Sequence, residues 1–161
     1  MKEQVNKIAF WGVRETFDYF HISGFQSLVR RISLELIRKG IEVDYVMYGA
    51  EKSQEIEVRP NLRLRYFVNL KEAFDALCTF HYDHIVNVRL CSYWDRLKTI
   101  FLNQKLPSQT KYHYFSLGWP DSVIKRYLRF TEAILVSRKG RIICVSPRLF
   151  RALGKWVKNA Y

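Results

Sequence analysis

Apolar residues recur along this chain in two rhythms, and the switching between them predicts alternating strands and helices. The run KIAFWGV (7–13) is apolar throughout and closes on a glycine, as a strand buried on both faces does. A mixed stretch, RETFDYFHIS (14–23), predicts a loop. Phe25, Leu28, Val29, Ile32, Leu36 and Ile37 then recur at helical spacing. Arg30, Arg31, Glu35, Arg38 and Lys39 take the other side and Gly40 supplies a stop, so an amphipathic helix is predicted over 25–39. EVDYVMY (42–48) is the second strand. Residues 49–61 are polar and end in Pro60-Asn61, predicting a loop. LRLRYF (62–67) alternates leucine with arginine and predicts a half-exposed strand near a sheet edge.

The same alternation continues to the end. LKEAFDALCTF (70–80) places Leu70, Ala73, Phe74, Leu77 and Cys78 on one helical face. HIVNVRL (84–90) and KYHYFSL (111–117) read as strands, with a helix over 92–104 between them. After the turn GWPD (118–121), Ile124, Tyr127, Leu128, Thr131, Ile134 and Leu135 share one face of a further helix, which predicts Tyr127 in the core. RIICV (141–145) is the last strand. Ser146 and Pro147 cap and open a final helix, with Trp156 on its apolar stripe. Strands that are mostly apolar and alternate with helices predict one α/β domain over 1–161. Its expected form is a doubly wound, mostly parallel sheet with helices on both faces.

Ligands of such a sheet bind at the carboxyl ends of its strands, near the point where strand order reverses. The turn after the first strand lacks G-x-G-x-x-G, because Gly12 is followed by Val13 and Arg14. The chain also lacks a P-loop and a G-x-S-x-G elbow, which removes the ordinary dinucleotide, P-loop and serine-hydrolase classes. His81 and His84 in HYDH fall in a helix-to-strand connection rather than on one helix face, so neither a metal site nor a cofactor is expected.

Charge adds a direction. Residues 1–120 hold 17 basic and 13 acidic side chains, whereas residues 121–161 hold 10 basic and 2 acidic, out of a net +12. The asymmetry points to an anionic partner, with a solvated face or an acidic protein partner as the plainer alternatives. Cys78, Cys91 and Cys144 lie in apolar surroundings and read as reduced core residues. No apolar signal core precedes the first strand and the longest apolar runs are too short to span a bilayer, so a cytoplasmic location is expected.

One arrangement carries a family likeness. A strand, a long loop ending in Ser23-Gly24, an amphipathic helix, and Gly40-Ile41-Glu42-Val43 leading into the second strand follow in order. This resembles the start of GT-B fold, family 4-type retaining glycosyltransferases, whose text is a double glycine, a helix rich in leucine and arginine, then G-H-x-V. GWPDS (118–122) resembles the aromatic–proline turn of that family. RIICVSPRLFRALGK (141–155) resembles the strand and helix that close its N-terminal domain. The likeness covers nearly all 161 residues. It implies the Rossmann-like, acceptor-binding half of a two-domain enzyme, with the donor-binding C-terminal domain absent from this chain and the chain alone inactive.

What the resemblance implies for residues is specific. A nucleotide-sugar donor would bring its phosphates to Ser23, Gly24 and Phe25, where a glycine admits close approach to the first amides of a helix. A saccharide or lipid-linked acceptor would meet Arg14, Glu15, Asp18 and His21 in the loop, and Arg89 after the fourth strand. Phe17, Tyr19 and Phe20 are further loop candidates. Lys125, Arg126 and Arg129 would face an anionic membrane surface at its cytoplasmic side. Two departures stand out. Ser23 replaces the first family glycine, and alignment on Pro120 puts Ser116 where the family carries a histidine. His113, three residues earlier and of opposite parity, is the other candidate for that role. A second reading rests on charge alone: a non-catalytic Rossmann-like module that binds RNA or a phosphorylated ligand. Nucleic acid is not expected, since no RNP-type motif or helix-turn-helix spacing is present.

Overall fold

Strand β1 (Lys7–Arg14) takes the middle of the sheet, as a strand apolar on both sides must. The computed structural model describes residues 6–14, 24–88, 105–116 and 140–144, with single helical positions at 94, 98, 123, 127, 131, 134 and 151. The other strands are β2 (Glu42–Tyr48), β3 (Gln54–Arg59), β4 (Leu62–Phe67), β5 (His84–Asn87), β6 (Lys111–Ser116) and β7 (Gly140–Cys144). They form one seven-stranded sheet in the order β3-β4-β2-β1-β5-β6-β7. Every neighbouring pair is parallel except β3 with β4. The chain therefore builds one half outward from β1 through β2 and β4, then returns to lay β5 on the other side of β1.

The period of two along each strand sorts the core into two faces. Ile8, Phe10, Val43, Tyr45, Met47, Leu62, Leu64 and Val86 pack with Val29, Ile32, Leu36 and Ile37 of helix α1 (Gly24–Arg38). Ala9, Trp11, Val46, Tyr48, Ile85, Tyr112 and Tyr114 pack with Leu70, Ala73, Phe74 and Leu77 of helix α2 (Leu70–Thr79). Helix α1 stops because Gly40 adopts φ +78° and its N–H meets the Ile37 carbonyl at 2.9 Å, while the Ile41 N–H reaches Leu36 at 3.1 Å. Helix α2 starts at Asn69, whose side-chain oxygen accepts from the Glu72 amide at 3.0 Å.

The structure departs from the sequence expectation at several points. The stretch 49–61 is not all loop: Gln54–Arg59 forms β3, the antiparallel edge, joined to β4 by a turn with Asn61 at φ 64°. Strand β4 is thus one place in from the edge. Arg65, expected outside, is 7% exposed. Tyr127, expected in the core, is 73% exposed, as is its helical neighbour Val123 at 75%. Thr131, one turn further, is also exposed, while Ile134 does pack on the α2-side core. Ile124, Leu128, Leu135 and Trp156 lie outside the described residues. No helix among the described residues is long and apolar enough to cross a membrane.

Arg65 is buried because Asp44 is. Asp44, 1% exposed in an otherwise apolar strand, accepts from Arg65 Nε at 2.9 Å and from the Tyr82 hydroxyl at 2.5 Å, both at Oδ2. Lys7 Nζ stands 3.7 Å from the same oxygen, and Glu55 closes the other side of the guanidinium. The Phe80 ring covers that guanidinium at 4.1 Å. Burial is the largest single influence and opposes the charge on Arg65, but the Asp44 charge and hydrogen bond, with Tyr82 and Glu55, together outweigh it and hold its pKa above the ordinary value.

Burial first, and then the neighbouring Asp44 charge, push the Tyr82 phenol far above its ordinary value of 10.0. Above about pH 10 an unfolded tyrosine loses its proton while folded Tyr82 keeps it. The unfolded state then binds fewer protons, so stability falls as pH rises, with Tyr82 adding up to about 1.4 kcal/mol per pH unit. Below that pH its contribution is complete. Urea midpoints of the wild type should drop more steeply between pH 9.5 and 11.5 (roughly the span either side of the free phenol value) than those of Tyr82→Phe. Parallel curves would show that Tyr82 ionises freely in the fold.

Candidate functional site at the carboxyl edge of the sheet

Strand order reverses between β1 and β5, so the carboxyl ends of these two strands flank the crevice where a sheet of this kind takes ligands. Strand β1 changes register just there. Trp11 opposes Val46 and Val13 opposes Met47, which leaves Gly12 as an extra residue at φ +95°. This is a β-bulge that a glycine accommodates without a side-chain clash. From sequence alone the strand is expected to end at Val13, with Arg14 in the loop. Instead Arg14 is the last residue of β1, in register with Tyr48 of β2.

Because β1 and β2 are parallel, α1 between them runs back from the carboxyl edge, and its first residue is Gly24. Gly24 is helical, one residue earlier than expected. The first N–H groups of α1, from Gly24 and Phe25, have no intrahelical acceptor and carry the positive end of the helix dipole. Such an end binds an anion when one is presented. Ser23, Glu15, Asp18 and His21, with Phe17, Tyr19 and Phe20, lie outside the described residues. So do Arg89, Lys125, Arg126 and Arg129.

Beneath this edge the α2 side of the sheet carries a buried polar chain that the sequence reading did not single out. Asn87, the last residue of β5, is in register with Trp11 of β1 and Tyr114 of β6. Its Nδ2 donates to the Tyr112 hydroxyl oxygen at 2.7 Å, and Trp11 Nε1 donates to the same oxygen at 3.2 Å. Asn87 is 1% exposed, and its Oδ1 is buried without a hydrogen-bond partner among the described residues. An asparagine inside the apolar run HIVNV was the available signal.

The two candidates on β6 separate. Ser116 is its final residue, in register with Cys144 and at the carboxyl edge. His113 lies mid-strand, in register with Val86 and Arg141. Its Nε2 is 2.7 Å from Nδ1 of His84 and the two rings stack at 17° with centroids 5.0 Å apart. One imidazole must offer a lone pair for that bond, so the pair holds at most one proton on the two facing nitrogens. His84 is thus joined to His113 rather than to His81, which is exposed at φ 50°. Among the described residues no group of three or more His, Cys, Asp or Glu is gathered as a metal site. Half-buried Cys78 packs against the α2-side core, and burial pushes its thiol up, which suits packing better than nucleophilic chemistry.

No protein-family model matches the chain, and no curated protein matches it.

Proposed function

We propose that the chain is the acceptor-binding, Rossmann-like half of a GT-B type glycosyltransferase. The complete enzyme would transfer a sugar from a nucleotide-sugar donor to a saccharide or lipid-linked acceptor at the cytoplasmic face of a membrane. The observation that carries this reading is the end of β1 together with the start of α1. A central strand, a bulge at its carboxyl end and a helix opening on Gly24 follow one another at the point of strand reversal. The resemblance of Ser23-Gly24, GWPDS and RIICVSPRLFRALGK to the family text supplies the chemistry. In this reading the helices cover the sheet on both faces in the doubly wound manner. The donor is held mainly by a second domain, and the donor's pyrophosphate meets the amides of Gly24 and Phe25. Ser116, at the carboxyl edge, is the residue proposed near the reacting sugar, whereas His113, mid-strand and joined to His84, is left out of that role.

Binding of the phosphates is testable on the chain itself. Uridine diphosphate, guanosine diphosphate and inorganic pyrophosphate are titrated into the 15N-labelled protein. The Gly24 and Phe25 amide signals should move, and Gly24→Val should weaken binding by about tenfold or more, ~1.4 kcal/mol. Gly24 begins a helix with ordinary helical backbone, so the substitution should change stability by less than about 2 kcal/mol. Unmoved Gly24 and Phe25 signals with all three probes would remove the phosphate role. Saturable binding of an RNA oligonucleotide with no response to any diphosphate would favour the polyanion module.

A further inference from the structure

We infer that Asn87 is a ligand-reading residue whose Oδ1 accepts a hydrogen bond from a hydroxyl of a neutral saccharide held at the carboxyl edge between β1 and β5. The inference rests on the glycosyltransferase reading for the location of the sugar and adds the residue that reads it. A buried amide oxygen without a donor is costly, and a donor from outside the protein recovers that cost. The oxygen is the acceptor that Asn87 has left, because Nδ2 is held on the Tyr112 hydroxyl at 2.7 Å. Trp11 Nε1 binds the same hydroxyl oxygen at 3.2 Å, so the oxygen that orients the Asn87 amide is fixed from β1 as well as from β6. All three side chains are buried, and their rotamers are set by the packed core around them.

Place and charge narrow the ligand. Asn87 ends β5 in register with Trp11, on the strand pair where the sheet order reverses. Neither Asn87, Trp11 nor Tyr112 carries a charge at neutral pH. Among the described residues nothing at this oxygen would neutralise a buried cationic donor, whereas a hydroxyl needs no counterion. A sugar hydroxyl both donates and accepts, so one donor bond to Oδ1 leaves its own lone pairs for other partners. A site built this way discriminates against an analogue lacking that hydroxyl, since the amide oxygen is then again unpaired.

The test uses methyl α-glucoside, methyl α-mannoside, methyl β-galactoside and N-acetylglucosamine on the 161-residue protein. The Asn87 side-chain NH2 signal is followed by NMR. At least one glycoside should shift it saturably, and Asn87→Leu should weaken that glycoside's binding by about tenfold or more, ~1.4 kcal/mol. Asn87→Asp, which keeps an acceptor at the same place, should retain more of the affinity than Asn87→Leu. The melting temperature of Asn87→Leu should stay the same or rise, because an unpaired buried oxygen has gone. Saturable glycoside shifts elsewhere with Asn87 unmoved would overturn the inference and leave the saccharide reading standing. No saturable shift anywhere in the spectrum would overturn both. A cross-peak from bound water to the Asn87 amide that no glycoside displaces would assign the oxygen to a structural water and also overturn the inference. A large fall in the melting temperature of Asn87→Leu with the wild-type amide unmoved would do the same.

Discussion

Asp44→Ala is expected to lower the unfolding free energy by about 3–5 kcal/mol, much of the stability of a domain this size. The alanine itself loses little packing. The loss comes from what it leaves: the guanidinium of buried Arg65, under the Phe80 ring, and the hydroxyl of buried Tyr82, both directed at an oxygen that is no longer there. Glu55 still meets Arg65 from the edge strand, but its side chain is 47% exposed and replaces only part of the field. Arg65→Met should cost less, because Lys7 at 3.7 Å and the Tyr82 hydroxyl remain with the carboxylate. Replacing both, as Asp44→Leu with Arg65→Met, should recover much of the loss, since no uncompensated buried charge survives. Urea denaturation of these variants, with Asp44→Leu alone to close the cycle, gives the coupling. A loss under about 1 kcal/mol for Asp44→Ala would mean that the network is as well solvated as an ordinary surface pair.

Binding to vesicles carrying phosphatidylserine is expected to exceed binding to neutral phosphatidylcholine vesicles by about a hundredfold at low salt. Lys125, Arg126 and Arg129 would each contribute about 1 kcal/mol near an anionic surface, and ~3 kcal/mol is roughly that ratio. The last 41 residues hold 10 basic and 2 acidic side chains, so the field is broad. The described helical positions Val123, Tyr127 and Thr131 are exposed, so an aromatic and an apolar side chain are also available at the surface of this basic region. High salt should abolish most of the preference. Co-sedimentation measures it, with single-stranded RNA as a competitor. Equal binding to both vesicles, or to neither, would sink the membrane reading. Loss of all vesicle binding to a small amount of RNA would transfer the basic surface to a nucleic-acid partner.

Much of this fold was legible wherever a residue's surroundings follow from its own neighbours in the chain. Val29, Ile32, Leu36 and Ile37 announce α1, and Gly40 its end, because helical faces are set by local spacing. Gln54–Arg59 was missed because its side chains are nearly all exposed and the strand is held by backbone pairing with β4, which no side-chain period reports. Arg65 was misplaced for a related reason. Its alternation with leucine says which face it takes but not that Asp44, 21 residues earlier, waits on that face. A carboxylate inside EVDYVMY was the available clue, since a buried charge requires a partner. At the carboxyl edge Gly24 could be read from sequence as a helix opening. The join of Asn87 to Tyr112 over 25 residues, and of His84 to His113 over 29, depends on the register of β5 with β6 and has no local signature.

Strand β3 also bears on how the sheet meets other chains. A parallel sheet has two open margins, each a row of unpaired peptide groups ready to template another chain. At one margin the apolar residues Leu62 and Leu64 of β4 would stand next to solvent. The short hairpin returns a strand reading QEIEVR across that margin, antiparallel and bent by a register shift between Glu57 and Arg59. Its alternating carboxylates repel a second copy of themselves, and its irregular pairing offers a poor template for a further strand. A segment that contributes little to the core thus acts as a gatekeeper against edge-to-edge polymerisation.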